Sequence, residues 1–247
     1  MIILHRLKCL CLFCSIFTLF SQSNFLQCQS LNGFPGLFNV PSAETLYDGG
    51  IEIGSVYLAK SAINYGNSKH DLFATYLTLC YLPKLELSIK LNRLIGVFGN
   101  YTLDRMFSLR YQFISESFYI PKVTVGFHNP YSTGDLEDNS SHMNSSYIVA
   151  TKNLATLLFF GNFNLTLGYG SDFIKSDDYQ YIGVFGGFSF RCNIIQSGKA
   201  YFEYILEYDA EHVNTAVRVK LADLISITCG FTEFKNFSGG ISIGFIL

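Results

Sequence analysis

Leu85-Glu86-Leu87-Ser88-Ile89-Lys90-Leu91-Asn92 decides the fold, because four aliphatic residues alternate with four polar ones without a slip. Successive side chains of a strand point to opposite faces, so this stretch has an apolar face and a polar face that carries Glu86 and Lys90. The rhythm returns in Phe107, Leu109, Tyr111 and Phe113, set between Met106, Ser108, Arg110 and Gln112. It returns again in Phe202, Tyr204, Leu206 and Tyr208, set between Glu203, Ile205, Glu207 and Asp209. Working outward, the pattern predicts strands near 50–59, 70–82, 84–93, 103–113, 121–128, 145–153, 162–170, 181–190, 200–208, 212–220, 223–232 and 236–246. Boundaries read this way carry an error of ~2–4 residues.

A run of such segments with no intervening helix, behind a secretory signal, predicts an all-β chain. The expected architecture is an antiparallel transmembrane β-barrel of about 12 strands (10–14) with a periplasmic N-terminal segment. A soluble β-sandwich shares the alternation, which by itself does not say whether the apolar face meets lipid or a core.

The connections give a second test. Barrels of this kind alternate tight periplasmic turns with longer external loops. With both termini periplasmic, the tight connections Leu82-Pro83-Lys84-Leu85 and Leu221-Ala222-Asp223-Leu224 fall on the periplasmic side. The longest polar connection, 129–144, falls outside, as does the acidic loop around Ser176-Asp177-Asp178. Two connections fit less well: the one after Tyr208 is short although external, and 153–161 is long although periplasmic. The last strand alternates Ile241, Ile243 and Phe245 with Ser242 and Gly244, which resembles the terminal signal read by barrel-assembly machinery.

Arg6 and Lys8 precede an apolar stretch from Cys9 to Phe20, followed by Ser21-Gln22-Ser23. That stretch is shorter than the ~20 residues a spanning helix needs, so residues 1–23 read as a cleaved signal peptide. Residues 24–49 read as a periplasmic connector: Gly33-Phe34-Pro35-Gly36 is a turn signal, and Pro41-Ser42-Ala43 precedes a short stretch of helical character. Residues 50–247 form the barrel.

Without Arg6 and Lys8 the chain keeps 15 of its 17 basic residues against 19 acidic ones, a net charge of −4. No basic surplus exists for nucleic acid. The chain has 16 Tyr and 24 Phe but no Trp, and Tyr and Phe suffice for interfacial girdles. Cys28, Cys80, Cys192 and Cys229 are widely spaced with no C-x-x-C, so neither a disulfide scaffold nor a metal site is expected. Phe25-Leu26-Gln27 is a poor match to the small-residue box that acylation of Cys28 would need.

The polar faces carry Glu86, Lys90, Arg110, Glu203, Glu207, Arg218 and Lys220, the candidate lumen-facing residues. They could line an aqueous channel for an anionic chain. The favoured reading is that they pair across the interior and fill it, because buried charges are costly unless paired and small barrels are filled by side chains. Of His70, His128, His142 and His212, only His128, beside Asn129 and Ser132, invites a test for Ser/His catalysis. No G-x-S-x-G accompanies it, and the expectation is a non-enzymatic protein without cofactor. The glycine pairs at Gly168, Gly170, Gly186 and Gly187 open no helix and read as bends or tight strand contacts, not phosphate cradles. Sequons at Asn100, Asn139, Asn144, Asn164 and Asn236 are discounted as chance triplets in an Asn- and Ser-rich chain.

Specific residues resemble the YjbH family, outer-membrane barrel proteins linked to bacterial exopolysaccharide production. Gly33-Phe34-Pro35-Gly36-Leu37-Phe38-Asn39-Val40-Pro41-Ser42-Ala43, then Asp48-Gly49, is similar to its opening motif. Gly126-Phe127-His128-Asn129 with Ser132-Thr133-Gly134, and Ser146 through Lys152, are similar to its strand–loop–strand signature. Glu207-Tyr208-Asp209-Ala210 through Asn214 and Arg218, then Phe231 through Ser238, are similar to its closing hairpins. Better-known members appear as several such modules, and this chain holds one. The resemblance implies a bacterial outer-membrane protein assisting exopolysaccharide biosynthesis, assembly or export. Its partners would be outer-membrane lipid, the barrel-assembly machinery, polysaccharide and export-system proteins, with no nucleic acid. Candidate external-loop contacts are His128, Asn129, Thr133, Asp135 and Glu137. The rival expectations are a passive pore for small solutes and a lipid-modifying barrel enzyme.

Overall fold

The computed structural model describes residues 29–59, 64–65, 68–96, 103–130, 144–158, 161–174, 180–194 and 200–247. The signal segment, Cys28, His142, Thr133, Asp135 and Glu137 lie outside the described residues. Every regular element among the described residues is a strand: β1 (Gly50–Leu58), β2 (Asn64–Tyr65), β3 (Ser68–Lys69), β4 (Asp71–Leu82), β5 (Leu85–Ile95), β6 (Leu103–Ile114), β7 (Lys122–His128), β8 (Ser145–Leu158), β9 (Gly161–Ser171), β10 (Gly183–Asn193), β11 (Ala200–Tyr208), β12 (Val213–Leu221), β13 (Ile225–Thr232) and β14 (Asn236–Ile246). β2 and β3 form a separate two-stranded ribbon, and the other twelve close into one antiparallel barrel in which β1 pairs with both β4 and β14. Closure leaves no exposed sheet edge, which is what a sheet needs where no water can satisfy its backbone.

The alternation maps onto the wall as expected. In β5, Glu86, Ser88, Lys90 and Asn92 are buried inside, and Ile89 and Leu91 face out. Exposed Ile53, Phe107, Leu167, Phe202, Tyr204 and Ile241 continue an apolar exterior around the barrel. Polar inside and apolar outside inverts the soluble arrangement and is the pattern of a barrel solvated by lipid.

The end carrying Gly50 and Leu247 (the near end) has the connections 83–84, 115–121, 159–160, 194–199 and 222–224; the longer 59–70, 129–144 and 172–182 lie at the far end. One expected misfit disappears. β8 runs to Leu158, which pairs with Gly161 at the start of β9, so 153–158 is strand. A register shift between Leu154 and Leu158 breaks the alternation there and hid the extension from a period-2 reading.

The main departure from expectation is the segment 24–49, read as a periplasmic connector: its described part, residues 29–48, folds instead inside the barrel. Leu31, Phe34, Leu37, Phe38, Val40 and Ala43 are all buried, and most join a cluster with Tyr147, Phe185 and Ile205 from the wall. The segment has only isolated bridges, Gln29 with Pro35 and Gly36 with Pro41. The stretch after Pro41 is not helical, because wall groups take its backbone bonds: Thr151 Oγ1 accepts from Ala43 N at 2.8 Å and Thr124 Oγ1 donates to Ala43 O at 3.0 Å. The glycines of the turn signal are both required. Gly33 has φ +82°, and a Cβ on Gly36 would stand 2.5 Å from the Val40 carbonyl oxygen.

Inward-facing aromatics occupy the space left by glycines directly across the strand pair. Tyr76 lies over Gly54, Tyr147 over Gly126 and Phe185 over Gly168, each register partners. A Cβ at any of the three glycines would fall within 2.4 Å of the ring. These contacts set the rings flat against the wall and fill the lumen beside the inserted segment.

Candidate functional site

The lumen is built from three charged clamps on the inserted segment. Glu207, inward from β11, accepts from three successive backbone amides: Phe38 at 2.9 Å, Asn39 at 2.8 Å and Val40 at 3.2 Å. Asn214, its register partner on β12, donates to the same carboxylate at 3.1 Å. Arg218 pairs with Glu203 at 2.8 Å and donates to the carbonyls of Gln29 and Gly36 at 3.1 Å, and of Leu37. Arg110 donates to the carbonyls of Pro35 and Glu44 at 3.0 Å and of Ser42, stands 3.5 Å from Glu86, and lies over the Phe34 ring at 5.1 Å. Glu86 takes the amide of Leu46 at 2.6 Å, and Lys90 donates to Leu31 O at 3.1 Å and Asn32 Oδ1 at 3.2 Å. Hydrogen bonds to an ionised partner are about twice as strong as neutral ones, so the charges act mainly as backbone anchors.

All seven candidate lumen residues are therefore buried and inward, including Lys220. The expected cross-barrel pairing is only part of their role. Glu203 meets Arg218 as register partner, whereas Glu207 faces Asn214 and Lys220 faces Tyr201. Glu52, also buried and inward, was passed over although Ile51-Glu52-Ile53 carries the alternation.

Two polar cavities flank the segment. At the far end about 100 Å³ is lined by Asn32 and Asn39 of the segment with Tyr181, Asp209, His212 and Glu233 of the wall and connections. Tyr181 donates to Asn39 O at 2.8 Å and receives Asn32 Nδ2. Burial, with the Glu207 and Asp209 carboxylates adding to it, raises its phenol well above the usual value. At the near end about 130 Å³ is lined by Glu44, Lys122, Asn164, Arg191, Glu203 and Arg218 among others. Lys122 there pairs with Glu44 and, at 3.7 Å, with Glu116. Between the cavities Phe38 packs in the apolar cluster with Tyr147, Phe185 and Ile205.

His128 and Asn129, expected as external-loop contacts, are instead buried, at 2 % and 3 % exposure. The alternation of β7 turns His128 inward, where its Nδ1 lies 3.0 Å from Ser108 Oγ and its ring meets Phe34 edge-on at 5.8 Å. His212 is exposed at the far end beside Glu211 and Glu233. Cys80, Cys192 and Cys229 are free thiols.

The sequence model of the YjbH family, described as "Exopolysaccharide biosynthesis protein YbjH", matches residues 28–211. The chain belongs to the YjbH family. The match contains the inserted segment and the clamping residues Glu86, Lys90, Arg110, Glu203 and Glu207, and ends before β12, which carries Arg218. No curated protein matches the chain. Among solved structures, a KdgM porin aligns with 80 % of this chain and 99 % of its own, at 8 % identity and a TM-score of 0.49. The fold stands on the strands described above.

Proposed function

We propose that this YjbH-family protein resides in the bacterial outer membrane and assists exopolysaccharide biosynthesis or export without enzymatic chemistry, as a barrel closed by its own N-terminal segment. The observation that carries this reading is the clamped segment: Glu207, Arg218 and Arg110 together hold the backbone from Gln29 to Glu44 across the lumen. Barrels of intermediate size leave space that side chains alone do not fill, and a plug is one of the known solutions. The apolar exterior supports lipid as its solvent, and the family description supports the polysaccharide pathway. Outer-membrane lipid, assembly machinery and export proteins are the partners this role requires.

A filled lumen disfavours a passive pore. Deleting the gene is expected to lower exopolysaccharide yield, and the purified full-length barrel is expected to be silent in planar bilayers. Steady conductance from the intact protein, or unchanged exopolysaccharide after deletion, overturns the proposal. The lipid-enzyme alternative rests on His128, which is buried against Ser108 and the Phe34 ring, and no carboxylate bonds to it among the described residues. His128→Ala is accordingly expected to leave lipid composition unchanged.

A further inference from the structure

At the far end, five adjacent buried side chains each have a polar atom with no hydrogen-bond partner among the described residues: Nε2 of His128, Oδ1 of Asn129 and Asn144, Oγ of Ser145, and the hydroxyl of Tyr147. None of the five residues is more than 5 % exposed. Buried polar groups are almost always paired, so five neighbours left open at one place is a departure that asks for an occupant.

Register brings them together. His128 and Ser145 are direct partners across β7 and β8, as are Gly126 and Tyr147 two residues along the same face. Because Gly126 has no side chain, the Tyr147 ring lies across it; a Cβ there would be 2.5 Å from the phenol oxygen. The phenol thus reaches toward β7, on the face that carries His128. Asn144 Nδ2 donates to Asn129 O at 2.8 Å and joins the two strand ends. Phe34 of the inserted segment supplies an apolar neighbour, edge-on to His128.

The open atoms are two amide oxygens, two hydroxyls that both donate and accept, and one imidazole nitrogen, with no carboxylate. The charges that act on His128 are Lys90 and Arg110, which oppose a metal cation. Both cations are already engaged, Lys90 by Leu31 O and Asn32, Arg110 by Glu86 and carbonyls, so an anion is not required. Uncharged donors and acceptors in one cluster, beside an aromatic ring, fit an uncharged polyhydroxyl compound.

We propose that His128, Asn129, Asn144, Ser145 and Tyr147 form a binding site for one neutral sugar residue at the far end of the barrel. The inference rests on the exopolysaccharide reading and adds the substrate class and the place. A free monosaccharide and the terminal residue of a polymer share this chemistry.

The test is calorimetric titration of the full-length barrel, folded in detergent, with glucose, N-acetylglucosamine and lactose. At least one is expected to bind, and Ser145→Ala/Tyr147→Phe is expected to weaken it at least tenfold. These substitutions delete only oxygens that bond to nothing among the described residues, so the heat-shifted gel band of the folded barrel should persist. His212→Ala, in the separate far-end cavity, is expected to leave binding unchanged. Binding by glucose or N-acetylglucosamine points to a free sugar, and binding by lactose alone to the end of a chain. If no sugar gives heat, or the double variant binds as the parent does, the site holds ordered water only and the inference is overturned. That failure is distinct from failure of the functional reading, which is decided by exopolysaccharide yield after deletion.

Discussion

The wall bonds strand to strand through its own backbone, with register unbroken around twelve strands except at three local shifts. Residues 29–48, lying inside it, have two isolated bridges and draw most other partners from side chains of β5, β6, β11 and β12. The difference teaches that a barrel can separate shape from closure. The wall is specified by a local period, whereas closure depends on a few charges placed opposite a chain with no period at all.

The sharpest way to break that comparison is to remove one clamp. Arg218→Ala removes the nearer cation from Glu203 and the donor to three plug carbonyls, and is expected to cost ~3–5 kcal/mol, the range for breaking a buried pair. Arg191→Ala, which faces the same Glu203 from a partly exposed position at 3.5 Å, should cost under about 1 kcal/mol. Urea midpoints from the heat-shifted gel band compare the two. Equal losses would show that the clamp adds nothing beyond an ordinary surface pair. The Arg218 variant should also show intermittent conductance where the parent is silent.

A second variant tests the outer half of the comparison. Leu167, outward near the middle of β9 and 61 % exposed, is expected to lose ~2–4 kcal/mol on change to Arg if lipid surrounds it. The same change on a water-exposed surface falls within about 0.5 kcal/mol, so a neutral result would remove lipid from the picture.

The smallest effect sharpens the junction between wall and filling. Gly168→Ala places a Cβ 2.3 Å from the Phe185 ring and should cost ~1–3 kcal/mol by overpacking. Adding Phe185→Leu should recover most of that loss in a double-mutant cycle, because the clash partner is then gone. Simple additivity would mean the ring moves aside freely.

Much of the wall was legible. Alternation puts Glu86, Lys90, Arg110, Glu203, Glu207 and Arg218 on the polar face of their strands, and the closed barrel turns that face inward. The extension of β8 was not legible, since its register shift breaks the period on which the reading depends. His128 illustrates the opposite limit. Its position after Phe127 in an alternating strand already pointed it inward, yet its closeness to a polar loop suggested a surface role. Of the five open polar groups at the far end, Ser145 gave no signal and Tyr147 entered only within the stretch that resembles the family signature, because hydroxyls on a strand look alike whether bonded or not.

The sequence by itself determined twelve barrel strands and the polar and apolar face of each, because the side-chain period of a strand is local and each pair of neighbours repeats it, and its motifs pointed to the family. Only the tertiary structure decided where Gly33 to Ala43 goes. Its turn glycines and apolar residues are compatible with any sheltered site. What draws the segment into the lumen is a set of carboxylates and guanidinium groups that reach it from strands far away in sequence, such as Glu207 and Arg218. Their burial is tolerable only once the backbone of that segment satisfies them, so the plug and the charges that hold it are fixed together.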